Sequence, residues 1–581
     1  MVSRLSEKTY NRLRRDVPPE VLAVSPVSTH PGMQGARGLS LPLNVIASII
    51  SYIDDTADIA RVTRTCRLMY YMTLPQLYTK VTLRSYPELQ FIDGKPAGFG
   101  SGSPFTMALN GLATSNSAAL VNDFHISGTW EDAHIDEYTV GRVPDSTMLL
   151  GIALRAAIDK MVNLKSFRWE LDMKPLKTIY QGLASRNALV SLDIRFPSCR
   201  DPRPIIMLPP LPSLRNLRVS NIDPVCYPDD ISLLLLHSKQ LRILRLQWSP
   251  RMREAAEPSI NLRAYFSRCL EAQYKIPLEH FALSNFYGIN TGDLKEIGDP
   301  NTLRSTALIN CFGGAGGAAA TIFVDDSWKN IPDGKVFQNL KAFRVSEPSE
   351  SHAKIVGTFS GLEELYFVNT PSQHMKRASS STTLVTDSPR STATPASVSS
   401  YSSISQSPIR SSDQAGVALC AEYLHVLFTK HGHSLKKLLL SNQWALSGTQ
   451  IAELVSSCPK LEQLGLGLSE DEPGAMRLVA PFLRNVTALR ILSNEWLEKA
   501  MAIDSDLRDT MNWTSNDPIY WRIPLNSRMK WAGIGDRVFR IGKAVQRTDD
   551  DGRLEWRKEV WPATLDDVKH IEIWNLDCND I

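Results

Sequence analysis

His425, His431 and His433 lie within nine residues of one another, and imidazole is a common ligand for zinc and copper. His-Gly-His stands beside Lys430 at the expected end of a helix, however, and neither a cysteine nor a carboxylate completes a ligand set. A glycine run, Gly-Gly-Ala-Gly-Gly at 313–317, follows an apolar stretch and is supple enough to wrap a phosphate. It lacks the G-x-G-x-x-G register, and no Lys-Ser/Thr follows as in a P-loop, so a repeat turn or flexible loop is the better reading. The eight cysteines, at 66, 199, 226, 269, 311, 420, 458 and 578, are never closer than 27 residues. That spacing leaves no zinc knuckle and no Cys-x-x-Cys pair, and marks them as reduced core residues. G-x-S-x-G and H-E-x-x-H are also missing, so hydrolase and metalloprotease chemistry lack their residues. The expectation is a non-catalytic chain with no metal and no cofactor.

What the spacing does offer is recognition. His125, Arg168, Asp193, Arg218 and Arg245 recur at near-regular intervals, with Arg195 two residues beyond Asp193 and Arg344 further along. Guanidinium groups in a row grip carboxylates or a phosphate bidentately. To form a row, these residues must sit at equivalent positions of adjacent strands, about 4.8 Å apart.

A repeated motif provides such strands. L-x-x-L-x-L, apolar at offsets 0, 3 and 5, starts at Leu164, Leu189, Leu214, Leu241, Leu278, Leu303, Leu340, Leu362, Leu435, Leu461 and Leu489, with outer candidates at Val121 and Val568. The first intervals are 25, 25, 27, 37 and 25 residues, near the roughly 20–29 of leucine-rich repeats. Alternation predicts a short strand with offsets 3 and 5 inward, while offsets 2, 4 and 6 point to the face a curved solenoid uses for binding. The linking segments carry helical spacing instead, as in Leu176, Ile179 and Leu183, or Ile451, Leu454, Val455 and Cys458 before Pro459. Asn221, Asn285, Asn310, Asn369, Asn442 and Asn575 fall at offset 7, where an amide can satisfy the turn leaving the strand. The expected fold class is α/β, a parallel-sheet solenoid spanning 115–500. On its inner face the basic row is either an acidic or phosphorylated ligand's site, or a solvated face whose arginines pair with Asp193 and Glu170.

Composition bounds the alternatives. Length alone, 581 residues, would suggest about four domains at ~150 residues each, a prior that a repeat array overturns. With 64 Lys and Arg against 61 Asp and Glu, the net charge is +3, too small for a global field that holds nucleic acid or an anionic membrane. No apolar run approaches ~18 residues, and no signal-peptide pattern opens the chain. The expected location is therefore cytoplasmic or nuclear, with the Asn485 and Asn512 sequons accidental. Residues 1–38 read as a disordered tail and 373–414 as a disordered insertion, since 22 of the 34 residues between Ser379 and Ser412 are Ser, Thr or Pro. Ser388, Thr394 and Ser407 each precede a proline there and are candidate phosphorylation sites. Residues 501–581 hold six of the twelve tryptophans. They predict a β-hairpin turning at Asp551-Gly552, read as a cap over the last repeats or an aromatic ligand site.

Residues 39–84 carry helical rather than strand periodicity. Val45, Ile46, Ile49, Ile50 and Ile53 mark one helix, Asp58 stands where it can cap a second with Ile59, Val62 and Cys66, and three short helices are expected. A bundle this small leaves apolar residues over for a partner. The Leu41-Pro42 start, the V-I-x-x-I-I-x-Y-I helix, the D-I-A-x-V-x-x-T-C-R-x-M helix and the closing P-x-L-Y-x-x-V-x-L resemble an F-box. An F-box followed by leucine-rich repeats, with irregular repeat lengths and a Trp-rich end, is similar to the fungal type of F-box and leucine-rich-repeat protein. That resemblance implies docking on a Skp-type adaptor, and through it a cullin, by Leu41, Pro42, Ile46, Ile49 and Val62. The repeats would hold a protein substrate through His125, Arg168, Arg195, Arg218, Arg245 and Arg344. Two function classes stay open: the substrate receptor of a Skp-cullin-F-box ubiquitin ligase, or an F-box scaffold that does not lead to ubiquitination.

Overall fold

The computed structural model describes residues 42–92, 95–100, 103–130, 137, 140, 142–197, 206–223, 231–251, 262–286, 296–311, 338–346, 348–369, 411–469, 482–492, 525, 527–535, 537–548 and 554–581. The 1–38 segment, Leu41, the 313–317 glycine run, Ser388, Thr394, Ser407 and the Asp551-Gly552 turn lie outside them. The chain divides into two compact units between Pro277 and Leu278. It is a mixed α/β fold in which each unit is built on a long run of mostly parallel strands, a solenoid-like arrangement.

The first unit opens with helices α1 (Leu43–Ile50), α2 (Thr56–Thr63) and α3 (Arg67–Thr79). Asp58 does not cap α2. The cap is Asp55, whose Oδ1 accepts from the Ala57 amide at 2.9 Å, while Asp58 stands inside the first turn and pairs with Arg61 at 2.5 Å. Only a residue flanking the helix has extended backbone that lets its side chain fold back on the free amides. A Thr63–Thr73 hydroxyl contact at 2.7 Å ties α2 to α3, and Gln76 Nε2 donates to the Ile53 carbonyl at 2.8 Å.

Lys80 then begins β1 (Lys80–Ile92), which runs antiparallel to β2 (Lys95–Gly100) and parallel to β3 (Asp123–Gly128). After β3 come β4 (Ser166–Leu171), β5 (Ser191–Arg195), β6 (Asn216–Ile222) and β7 (Ile243–Trp248), each parallel to the one before. Helices α4 (Ser103–Thr114), α5 (Asp145–Lys160), α6 (Lys177–Ala184) and α7 (Ser232–His237) lie between them in the chain. The repeat motif accounts for the core. Leu164, Leu189, Leu214 and Leu241 at offset 0, Phe167, Leu192, Leu217 and Leu244 at offset 3, and Trp169, Ile194, Val219 and Leu246 at offset 5 are all fully buried. At about 2 kcal/mol for each large apolar side chain, these columns outweigh any single polar contact.

The second unit continues the pattern with β8 (His280–Ser284), β9 (Ser305–Ile309), β10 (Ala342–Val345), β11 (Glu364–Phe367), β12 (Lys437–Leu439), the short β13 (Ala445–Leu446), β14 (Gln463–Leu468), β15 (Ala488–Ile491) and β16 (Trp531–Ile534). Helices α8 (Glu350–Gly357), α9 (Ser411–Val426) and α10 (Gly448–Ser457) join successive strands; α9 begins inside the 373–414 segment. Ser447 caps α10 through a reciprocal box with Gln450, which meets two otherwise orphaned amides. Beyond β16 the direction reverses into an antiparallel hairpin, β17 (Arg537–Thr548) and β18 (Leu554–Ala563).

Three sequence assignments need correction. The rung placed at Leu489 starts at Val486, because Leu489 and Ile491 are the inward residues of β15, at offsets 3 and 5. A rung at Met529 was missed, since Ala532 stands where a leucine was sought. The outer candidate at Val568 is no strand: 565–568 form a single 3-10 turn and 572–575 a short helix, α11 (Glu572–Asn575), so Asn575 leaves no strand turn. The other offset-7 asparagines do more than cap. Asn221, Asn285 and Asn310 adopt left-handed backbone at φ 62°, 58° and 53°, a region asparagine tolerates better than other side chains. Their amides also tie neighbouring rungs: Asn221 Nδ2 donates to the Phe196 carbonyl at 2.9 Å and Asn310 Nδ2 to Asn285 Oδ1 at 3.2 Å.

Candidate binding faces

Alternation along a strand sends offset 4 to the face opposite the buried columns. In the first unit the parallel register sets His125, Arg168, Asp193, Arg218 and Arg245 side by side as direct partners. Arg168, Asp193 and Arg218 form one linked chain of ion pairs with Glu170, and His125 hydrogen-bonds to Glu170 at its end. His125 Nε2 lies 3.0 Å from Glu170 Oε2, Arg168 Nε is 3.9 Å from Glu170 and 3.2 Å from Asp193, and Arg218 Nη1 is 3.9 Å from Asp193. Burial pushes the Asp193 carboxyl above its ordinary value, although Arg218 and Arg168 pull the other way. The row therefore shares its cations with Asp193 and Glu170. Arg168 remains half-exposed, Arg195 is exposed, and the Arg218 Nε is enclosed with no hydrogen-bond partner among the described residues. Arg168 is the accessible donor of the row, its side chain 49% exposed against 13% for the Asp193 carboxylate it pairs with.

Arg344 does not belong to that row. It lies on β10 of the second unit with only 8% of its surface exposed, and its Nε donates to the Leu576 carbonyl at 3.0 Å while Nη2 donates to the Cys578 carbonyl. The chain's own end covers it. The same end covers the neighbouring strands: Tyr366, Leu439 and Ala488 pack in one buried cluster with Val568, Ile571, Ile573 and Trp574. Polar contacts frame the cluster. Lys437 pairs with Glu572 at 2.6 Å and Glu364 at 2.9 Å, and Gln463 Nε2 donates to Glu572 at 2.6 Å. Arg490 pairs with Asp577 at 2.7 Å and donates to the Ile573 carbonyl at 2.9 Å. Although burial opposes its charge, hydrogen bonds to Glu572 and Glu364 hold the Lys437 pKa above its ordinary value. Glu572 is correspondingly held low, with Lys437 and Gln463 outweighing its burial.

None of Lys437, Gln463, Arg490, Glu572, Trp574 or Asp577 was singled out from the sequence. One signal was present: offset 4 turns from charged to apolar or glycine at Tyr366, Leu439, Gly465 and Gly533. A Cβ at Gly533 would stand 2.7 Å from Trp574 Cζ2.

The histidines at 425–433 are not a ligand set. His431 is buried and uses both ring nitrogens, Nδ1 accepting from the Leu362 amide at 3.1 Å and Nε2 donating to the Val356 carbonyl at 3.0 Å. His425 and His433 are exposed, and no group of three metal-capable side chains occurs among the described residues. In the N-terminal helices Pro42 is exposed, Ile49 is 51% exposed, Ile46 and Val62 are half-buried, and Val45, Tyr52 and Tyr70 also face outward.

No family model and no curated protein matches this chain. Among solved structures it is similar to the crystal structure of the Rad7 and Elc1 complex in yeast, with a TM-score of 0.33 and 13% identity over 78% of this chain and 87% of that chain.

Proposed function

We propose that this chain is the substrate-recognition subunit of a Skp-cullin-F-box ubiquitin ligase. Residues 39–84 dock a Skp-type adaptor, and the open strand face of the first unit takes an acidic or phosphorylated protein segment. The chain does no bond chemistry in this reading. It raises the concentration of substrate lysines near a ubiquitin-loaded enzyme, an effective-concentration device.

The observation that carries it is the apolar surplus on α1–α3. Ile49 on α1, Tyr52 in the turn after it and Tyr70 on α3 are 51%, 71% and 44% exposed, in a segment that leads straight into the first repeat strand. So small a bundle does not retain such residues for its own core. The basic row at Arg168, Arg218 and Arg245 supports placing the substrate on the first unit, because the second unit's face is already filled.

Purification of the tagged full chain from cells tests the reading. Adaptor and cullin should both be recovered, and both should be lost on substitution of Leu41 and Pro42. Adaptor without cullin would favour the scaffold role instead. Reversing charge at Arg218 and Arg245 should abolish substrate capture with adaptor recovery intact; unchanged capture sinks the basic row as the substrate site.

A further inference from the structure

The offset-3 side chains of the second unit form a core layer on the face away from residues 571–578. Phe343, Leu365, Leu438, Leu464 and Leu489 at offset 3 are fully buried within the repeats. Residues 571–578 lie on the other face, where they meet side chains from four different rungs: Arg344 of β10, Lys437 of β12, Gln463 of β14 and Arg490 of β15. Recognition by one side chain from each of several rungs is how a repeat array reads a segment laid across it. The contacts have the anatomy of a ligand site as well. Trp574 sits at the centre, and its edge occupies the space that Gly533 leaves by lacking a side chain. Three cations ring it, matched by Glu572, Asp577 and three main-chain carbonyls. A buried aromatic anchor inside a polar rim is the pattern of a protein-recognition hot spot.

We propose that the offset-4 face of the second unit is a peptide-binding groove for acidic segments carrying a tryptophan, and that residues 571–578 occupy it as a built-in ligand. The recognised pattern is a glutamate two residues before the tryptophan and an aspartate three after it, as in Glu572, Trp574 and Asp577. Glu572 is read by Lys437 and Gln463, Asp577 by Arg490, and the ring by the apolar bed of Tyr366 and Leu439. Tethering places the internal segment at an effective concentration of roughly millimolar. An external segment of the same chemistry therefore enters only when residues 571–578 are released.

The test clips the folded full-length chain at a protease site inserted between Lys569 and His570, both exposed. A fluorescent peptide of residues 570–581 should then exchange into the groove and saturate, as read by anisotropy. Peptides with Trp574→Ala or Glu572→Lys should bind at least about tenfold more weakly. Lys437→Glu protein should recover affinity for the Glu572→Lys peptide. An unrelated peptide that keeps only the Glu, Trp and Asp spacing should compete. Failure of the peptide to exchange, or equal binding of all three, overturns the groove. If clipping unfolds the second unit, hydrogen exchange on the uncut chain decides. Lys437→Glu should then speed exchange of the amides of residues 570–581 by about tenfold or more with the strands still protected, and adding Glu572→Lys should reverse it. Loss of protection by strands and segment together would show one inseparable core.

Discussion

The offset-4 faces of the two units are built from the same position of the same motif and end up as opposites. In the first unit offset 4 holds His125, Arg168, Asp193, Arg218 and Arg245, charges that water can solvate, and the row stays accessible. In the second it holds Tyr366, Leu439, Gly465 and Gly533 beside Arg344 and Arg490, a mixture that water serves badly, and the chain's own end lies over it. A sheet face with large apolar side chains on two adjacent rungs favours a cover over them. The difference teaches that a repeat's inner core says little about its outer face. Both units share the leucine columns, while the residue types at offset 4 decide which face stays accessible and which is covered by residues 571–578.

The sharpest way to break the contrast is at Trp574. Trp574→Ala should lower the stability of the second unit by about 3–5 kcal/mol, seen as an earlier urea midpoint in that unit alone. A shift under about 1 kcal/mol would mean that the segment covers without binding. Arg490→Met should cost about 3 kcal/mol, since it leaves the enclosed Asp577 carboxylate without its cation; thermal unfolding of the purified variant measures it. The same kind of change in the first unit should be far smaller. Arg218→Met removes a partly exposed cation 3.9 Å from its partner and should cost less than about 1 kcal/mol. A larger loss would show the row to be structural rather than available to a ligand.

The smallest effect, and the most diagnostic in its sign, belongs to Asp193. Its folded-state pKa is raised above the usual 3.8, chiefly by burial, so the folded chain holds that proton more tightly than the unfolded one. The associated stability is complete below 3.8 and is lost as pH rises through the folded value. Wild type should therefore gain stability relative to Asp193→Asn as pH falls from neutral towards about 4, measured by urea unfolding at both ends. The opposite trend would mean that Arg168 and Arg218 outweigh the burial and that the row is a tight pair network.

Much of the repeat architecture was legible because its signal is local. Leu164 with Phe167 and Trp169, or Leu461 with Leu464 and Leu466, states strand, direction and inward face in six residues. The row His125 to Arg245 followed by counting, since parallel register converts equal offset into adjacency. Reading weakened where small residues replaced leucine, as at Ala532, and where one pattern served two structures. Val568, Ile571 and Ile573 are apolar at strand-like spacing and are indeed buried, yet in a turn and a short helix against a distant face. The asparagines were half readable. Their place at the turn came from spacing, but the positive φ and the ties between rungs needed the neighbouring rung to be present.

Sequence by itself determined the repeated strand, its buried columns, the helical spacing of 43–79 and the absence of a global charge, because each rests on residue type at short, regular intervals. Only the tertiary structure decided that Arg344 is covered, that Arg168 and Arg218 share Asp193, and that residues 571–578 fill the second unit's face. Arg344 meets the Leu576 carbonyl across 232 residues of chain, and Lys437 meets Glu572 across 135. Pairings that distant leave no periodic trace, since only the folded chain brings a lone charge and its partner together and shields both from water.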